Sequence, residues 1–600
     1  MVLVLEHEKN KCTSRNSRYI AEHFNFLKSS QDYSEVVVKA IPLEKGFGML
    51  LPLSLFHLDD EVMIELLANW RKENEKFFPS QFNVTYLGTK KWLQTQVIEN
   101  EDRILFLVLD KRGKPVAHLG FAGALGEERN LEVDNVVRGD KLATKGIMSE
   151  AVKSLIKYAQ EALFPNEIFL KTLADNSHAI NFYTKLGFVE GNKIPIKKIK
   201  THEGSSLVVC SEEDVADNYY QKMVFSPIVN PETMILTAGP SISNLEISNV
   251  TNAVRNGWNH KWSDYIDQFQ DSFQKYLGVD YALATSSCTG ALHIALLALG
   301  VGPGDEVIVP DITWVATANV ARYVGATPVF VDVEKDSWGM DPESFRKAIT
   351  PKTKVVIPVH LYGHPANMPK IVKIAREHAI AIVEDAAPSL GAECDGKKTG
   401  TFGDFAAFSF QGAKLSVTGE GGMLVARSKE LYEKAKLIWD QGRVPGTFQI
   451  VKIGMKYRMS NVQAALGLAQ NERVEELIFA KRRLFSWYEK LLSEIPGIEI
   501  WKGADWAKSI CWMICIVLTD EFPCDREPLR RELLIRKIDT RPVFPQISQY
   551  PIWETSNSDL DLPISKHLAQ RGINLPSGVC LNYQQIVRVC ESIREIYKEY

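Results

Sequence analysis

The chain has 600 residues, more than one hydrophobic core usually organises, so two or more domains are expected. Hydrophobic residues make up 45% and charged residues 24%, the balance of an ordinary globular protein, and a formal charge of -4 argues against nucleic-acid or membrane-surface binding. Nine cysteines are scattered without a CxxC pair or a Cys/His cluster at zinc-ligand spacing, so no metal site is expected and a reducing compartment is.

The opening MVLVLEHEKNK has four apolar residues between Met1 and Glu6, too few for a signal-peptide core. No apolar run approaches membrane-spanning length, and a cytoplasmic location is expected. Residues 1–47 are polar without a clear period and read as an N-terminal extension or a small docking segment. From 48 to 226 strands and helices mix. ILFLVLD, KRGK and PVAHLGFAG read as a β-hairpin, and LEVDNVV as a further strand. KGIMSEAVKSLIKYAQ is amphipathic, with Ile147, Ala151, Leu155 and Tyr158 on one helical face. EIFLKTL reads as a strand and SHAINFYTKLGF as a helix closed by Gly187. FSPIVNPETM, with two prolines and no period, is the expected linker, so a second domain spans 227–600. There DEVIVP, TPVFVDV, TKVVIPVHL and AIAIVEDA alternate with helical stretches, the pattern of a mainly parallel sheet covered by helices on both faces.

Chemistry in such sheets collects at the carboxyl ends of strands. AIAIVED ends at Asp385, FAAFSF ends at Phe410 with Lys414 close behind, and the small polar run Ser286–Thr289 stands directly before a helix. A helix N-terminus with small hydroxyl residues suits an anionic phosphate. An amine, a carboxylate and a phosphate cradle are what pyridoxal 5'-phosphate requires. Singly, the lysine reads as a solvated loop residue, the aspartate as a turn residue and the Ser/Thr run as a helix cap; their order and strand-end placement favour the joint reading.

Residues from about 240 to 600 resemble the sugar aminotransferases of the DegT/DnrJ/EryC1/StrS family, through LGVGPGDEVIVPDITWVATANV, PVHLYGHPANM, IVEDAAPSLGA, GTFGDFAAFSFQGAKLSVTGEGG and YRMSNVQAALGLAQ. The resemblance implies a fold-type I transferase with a smaller C-terminal subdomain. It makes Lys414 the Schiff-base lysine, pairs Asp385 with the pyridinium nitrogen and stacks Trp314 on the ring. Ser287, Cys288 through its backbone, Thr289 and Ser409 hold the phosphate. It also implies a homodimer with composite sites, in which the loop near Lys456 and Arg458 reaches the partner. Gln411, Pro388 and Lys456 depart from residues common in the family. A dehydratase variant of this fold carries histidine at the lysine position, so Lys414 points to amino transfer. The text most resembles enzymes of the perosamine synthase type, which implies L-glutamate as donor and a nucleotide-linked 4-keto-6-deoxy sugar as acceptor, GDP favoured over UDP or dTDP.

In the first half, the strand LEVDNVV, the loop RGDKLATKG and the helix from Ile147 form a strand–loop–helix unit. Lys141 and Lys145 there read either as diphosphate partners or as a basic solvated loop. The span from about 51 to 223 resembles the GNAT family of acetyl-CoA-dependent N-acetyltransferases, through KGIMSEAVKSLIKYA and ADNSHAINFYTKLGFVEG. By that resemblance the backbone around Lys141, Lys145, Gly146 and Ile147 binds the pyrophosphate and Asn176 the CoA arm, while Tyr183 protonates the leaving thiolate. Glu132 or Asp134 would take the proton of the attacking amine; Tyr183 reads equally as a packing aromatic. Together the two resemblances imply amination of a nucleotide-linked keto sugar followed by N-acetylation of the new amine, for surface polysaccharides such as O-antigen. The alternative is an aminotransferase whose first domain only binds, or acetylates an unrelated amine.

Overall fold

The computed structural model describes residues 18–600 apart from 76–77, 79, 202–203, 212–214, 227–229 and 554–559. The chain forms two compact units, Met1–Ile228 with Ile242–Ser248, and Val229–Ser241 with Asn249–Tyr600. Residues 1–17 of the expected extension and 227–229 of the expected linker lie outside the described residues.

The first unit is built on a ten-stranded sheet. In chain order its strands are β1 (Ile41–Pro42), β2 (Gly48–Pro52), β3 (Ser80–Phe82), β4 (Arg103–Asp110), β5 (Pro115–Ala122), β6 (Asn130–Arg138), β7 (Glu167–Leu173), β8 (Phe188–Thr201), β9 (Gly204–Val209) and β10 (Asn218–Phe225). Their spatial order is β1-β2-β4-β5-β6-β7-β10-β8-β9-β3. β4 and β5 are the expected hairpin, turning where Gly113 takes φ +78°. Helix α1 (Ile147–Tyr158) follows β6, and α2 (Ser177–Thr184) follows β7. The predicted face of α1 is the buried one: Ile147, Ala151, Leu155 and Tyr158 are each at most 8% exposed and pack with Phe106 and Phe121 of the sheet.

Residues 18–47 correct the expectation of an appended extension. The stretch 18–28 is helical and sends Ile20, Phe24 and Leu27 into the same core as Leu50 and Leu155. β1 then pairs antiparallel with β2, Ile41 opposite Leu50. The stripe of Ile20, Phe24 and Leu27, with Tyr19, Ala21 and Phe26 beside it, is masked only when these residues are read together with the more polar ones ahead of them.

The second unit carries a seven-stranded sheet: β11 (Ala282–Thr285), β12 (Glu306–Pro310), β13 (Thr327–Val331), β14 (Thr353–Val356), β15 (Ala381–Asp385), β16 (Phe405–Ser409) and β17 (Gly422–Ala426), ordered β11-β17-β16-β15-β14-β12-β13. All pairings are parallel except those of β17, which runs against both β11 and β16. Residues that are apolar along whole strands, as in the fully buried β17, are what a sheet covered on both faces requires. The smaller sheet, β18 (Ile498–Ile500), β19 (Ile514–Leu518), β20 (Arg541–Pro542) and β21 (Gly572–Leu575), has its own core with Leu484, Tyr488, Ile586 and Ile593. Among the described residues no helix is long and apolar enough to cross a membrane, no metal-binding cluster of His, Cys, Asp or Glu occurs, and eight cysteines are free.

Candidate active sites

Sheet register assembles the site of the second unit. Asp385, the last residue of β15, lies opposite Ala407 of β16; Ser409, the last residue of β16, lies opposite Gly422; and Gly422 lies opposite Thr285, where β11 ends. Three strand ends thus place a carboxylate, a hydroxyl and the start of α3 (Cys288–Ala298) side by side. Ser287 is the N-cap of α3, its Oγ accepting from the Gly290 N–H at 3.0 Å. Cys288 and Thr289 form the first turn, where backbone N–H groups have no intrahelical acceptor. A Cβ on Gly422 would stand 2.6 Å from the Cys288 nitrogen, so only glycine lets β17 pass this close to the helix start.

Lys414 lies in the loop between β16 and β17. Burial pulls its amine down to about 8, while Asp385 first and Cys288 second favour the ammonium. Its Nζ stands 3.9 Å from the centroid of the Trp512 ring. Asp385 is buried and its carboxyl is raised by desolvation, opposed by a 2.7 Å hydrogen bond from Thr317 Oγ1 and by the Ala387 N–H at 3.2 Å. Thr317 sits on α4 (Ala316–Tyr323), just after Trp314. Trp314 is 62% exposed, a flat ring 6.1 Å from Phe544. Beside Asp385, Glu384 is fully buried and accepts from the N–H groups of Gly400, Phe402 and Gly403, each at 2.7 Å. His360 Nδ1 accepts from the Ala366 N–H, so its Nε2–H is free to donate to Glu384 at 3.0 Å. This satisfied buried pair fixes the end of β15.

Lys456 adjoins the strand end that precedes α3. Its Nζ is 3.7 Å from Asp440, while the adjoining backbone pairs Arg458 with Thr285, and Tyr457 accepts from the Ser286 N–H. Thr317, Trp512 and the His360–Glu384 pair were not found from sequence. Trp512 lies in SICWMICIVL, whose only readable signal is a buried strand; β19 begins two residues later.

A buried amine, a nearby carboxylate, an exposed flat ring and a helix start that admits no Cβ opposite it match the aldehyde, ring nitrogen, ring face and phosphate of pyridoxal phosphate.

The first unit holds a cleft of about 960 Å³. Its origin is a parting of strands. β6 and β7 pair in parallel only from Asn130 opposite Glu167 to Glu132 opposite Phe169, yet both continue. Val133–Arg138 and Leu170–Leu173 line the gap. Within it Asn135 takes φ +53° and the β5–β6 register slips, a bulge that re-aims the strand. The first turn of α1 opens on the cleft through Gly146, Ile147, Met148 and Ser149. Gly146 caps that helix at φ +94°, a conformation that favours glycine, and the Ile147 side chain is buried, leaving backbone toward the cleft. Asn176 also lines the cleft and caps α2, accepting from the Ala179 N–H at 3.1 Å.

Tyr183, Glu132 and Asp134 line the same cleft, whereas Lys141 and Lys145 are exposed and outside it. The loop carrying those lysines is shaped by Arg138, which donates to the carbonyls of Asp140, Lys141 and Ala143. Burial, and secondarily Asp134, pushes the Tyr183 phenol well up, so it stays protonated, and its ring packs edge-on to Phe188. Glu132 is paired with Lys171 at 2.7 Å and Asp134 with Arg103 at 3.0 Å. His118 of β5 lines the cleft too, pulled down to about 4 by burial. A long slot beside a helix N-terminus suits a pantetheine arm and its diphosphate.

A family model for the DegT/DnrJ/EryC1/StrS aminotransferases matches residues 240–594, and one for the acetyltransferase (GNAT) domain matches 51–189. The GDP-perosamine synthase of Escherichia coli O157:H7 is 40% identical over 362 residues, 60% of this chain and 98% of that protein. The GDP-perosamine synthase of Caulobacter vibrioides is 38% identical over 365 residues, with the same coverage. Among solved structures, a putative sugar aminotransferase from Streptococcus pneumoniae in its PMP form superposes with a TM-score of 0.57 at 25% identity, covering 61% of this chain and 98% of its own. The matched half therefore takes pyridoxal phosphate, the matched first domain takes acetyl-CoA, and the chain belongs to the DegT/DnrJ/EryC1/StrS aminotransferase family with a GNAT acetyltransferase domain ahead of it.

Proposed function

We propose that the protein aminates a nucleotide-linked 4-keto-6-deoxy sugar with L-glutamate as donor and then N-acetylates the new amine, GDP being the favoured nucleotide. One observation carries this reading: a single chain holds both the Asp385–Lys414 site and a cleft lined by Tyr183 beside a helix N-terminus. An amine made at the first is a substrate for the second, and covalent linkage raises its local concentration there. The product suits surface polysaccharide assembly in the cytoplasm, and the family resemblance supports a homodimer.

When bound, pyridoxal phosphate supplies an electron sink for the carbon losing its proton. The residues supply the rest. Ser287, Thr289, Ser409 and the backbone at Cys288 hold the phosphate; Trp314 covers the ring; Asp385, kept in place by Thr317, holds the proton of the ring nitrogen. Lys456, on the loop that reaches the partner, would serve the cofactor there. Lys414, its amine only modestly basic, takes up and returns a proton at Nζ. In the first unit the sugar amine forms a bond to the acetyl carbon as the carbon–sulfur bond breaks. The phenol of Tyr183 gives its proton to the departing thiolate, and the amine's proton leaves toward Asp134 or Glu132. Gly146, Ile147 and the loop of Lys141 and Lys145 seat the diphosphate, with Asn176 along the pantetheine arm.

The burial of Tyr183 in the first core favours a second reading, in which the domain binds acyl-CoA without turnover. A one-pot assay with glutamate, acetyl-CoA and GDP-, UDP- and dTDP-linked 4-keto-6-deoxy sugars, read by product mass, separates the two. The N-acetylated amino sugar is expected. Lys414→Ala abolishes amination and leaves acetylation of supplied amino sugar intact. Tyr183→Phe slows acetylation about 100-fold, and free amino sugar accumulates. Amino sugar that the wild type never acetylates overturns the coupled pathway; turnover of acetyl-CoA on other amines then marks an unrelated substrate, and none at all marks a binding-only domain.

A further inference from the structure

Trp512 is in contact with Lys414 Nζ and has no part in holding the cofactor as proposed above. Its ring centroid is 3.9 Å from the nitrogen, the distance of a close cation–π contact. The ring is fixed on every side. Its Nε1–H donates to the carbonyl of Ala413, the residue before Lys414, at 2.8 Å. Its own carbonyl accepts from Lys481 Nζ at 2.7 Å, and that amine, buried on α5 (Val474–Leu492), also donates to the Ser577 carbonyl. Behind it Tyr362 is stacked at 6.1 Å and 28°, and Phe544 on Tyr362 at 5.2 Å and 18°. Tyr362 is buried at φ +50°, and Cys511, directly before Trp512, takes φ +52°; neither residue relaxes there without the packing around it. So large an aromatic assembly, with strained backbone at two points, presents one ring face to one amine.

Lys414 needs such a face. Burial disfavours its ammonium, yet a residue that takes up and returns a proton must hold the charged form for part of each cycle. Asp385 favours that charge, but it is also the partner proposed for the cofactor's ring nitrogen. Cys288, the other group facing the amine, is a thiol held protonated by burial. A ring face favours a cation and carries no proton of its own, so it holds the charge without competing for the proton.

We propose that Trp512 is the seat of the proton-carrying form of Lys414, a catalytic residue of the amination site that binds the ammonium through its ring face. The proposal deepens the reading of Lys414 as the proton carrier. The proton stays on Nζ throughout; no bond to Trp512 forms or breaks.

The test reads Lys414 itself rather than turnover. Full-length protein stripped of cofactor is labelled with trace acetic anhydride between pH 6 and 11, and modification of the Lys414 peptide is followed by mass spectrometry. The wild-type midpoint is expected near 8. Trp512→Leu lowers it by about one unit, and Trp512→Phe, which keeps a ring face, stays within about half a unit of wild type. Trp512→Met, longer and more adaptable in packing, carries the prediction of the leucine variant if that protein fails to fold. An unchanged or raised midpoint in the leucine or methionine variant, with wild-type melting, overturns the proposal. So does a phenylalanine variant that falls as far as leucine. Failure of the reading of Lys414 would show separately, as amination surviving in Lys414→Ala.

Discussion

Lys414 and Asp385 are legible because their signals are local: Asp385 ends an apolar strand and Lys414 follows one by five residues, and strand ends are where side chains escape a covered sheet. Thr317 and Trp512 are not, since each acts on a residue far along the chain, 68 positions away for Thr317 and Asp385. Thr317 carries a prediction of its own. Its hydroxyl and the Ala387 N–H are the two donors to this buried carboxylate among the described residues, and a hydrogen bond to a charged group contributes about 1.5–3 kcal/mol. Thr317→Val is therefore expected to raise the Asp385 carboxyl further and to lower kcat/KM for amination about 10- to 100-fold, measured with glutamate and keto sugar at saturating cofactor. Near-normal kinetics would mean that the Ala387 N–H suffices. In the first unit, Glu132 was a candidate from its place on a strand; its 2.7 Å pairing with Lys171, and that of Asp134 with Arg103, is information only the fold holds.

At the scale of elements, backbone approach decides more than side-chain pattern. The start of α3, proposed above as a phosphate cradle, is approached closely by β17 only because residue 422 is glycine, where a Cβ would also meet Phe408 O at 2.8 Å. Gly422→Ala must push β17 away from α3 or from β16. An expected loss of about 1–3 kcal/mol follows from such overpacking, seen as a lower melting temperature of the second unit. Weaker retention of cofactor on dialysis should accompany it, and full retention with an unchanged melt would show that the backbone there yields freely. The parting of β6 from β7 is the same kind of fact in the first unit. Both strands read as strands, and nothing in their residues announces that pairing stops after Glu132 and Phe169. The helix at 18–28 carries its own apolar stripe, Ile20, Phe24 and Leu27 flanked by Tyr19, Ala21 and Phe26; what only the fold supplies is the sheet that receives it.

At the scale of the molecule, stability depends on histidines buried as neutral rings. Burial lowers His57 and His118 in the first unit, and His364 in the second, from 6.5 to about 4. His57 Nδ1 accepts from the Ser54 N–H and His364 Nε2 from the Ala504 N–H, bonds that a protonated ring cannot accept. The folded values lie below the unfolded ones, so their contribution is complete above pH 6.5 and is lost as pH falls from 6.5 to 4. At pH 5 each histidine costs about 2 kcal/mol of folding stability. Denaturant melts at pH 7 and pH 5 should show both units weakened, and equal midpoints at the two values would contradict neutral burial of these rings.

Sequence alone determined the order and type of the main elements, the parallel sheet of the second half and the residues that sit at its strand ends. Each of these rests on short-range periodicity and on motifs whose parts are neighbours in the chain. Tertiary structure alone decided what those residues touch: the hydroxyl on Asp385, the ring under Lys414, the ion pairs on Glu132 and Asp134, and the open cleft beside α1. Those contacts join residues from about thirty to nearly a hundred positions apart, and distance in the chain carries no record of distance in space. Lys414 was visible as a lysine in the right place; that it rests on the face of Trp512 is a property of the fold.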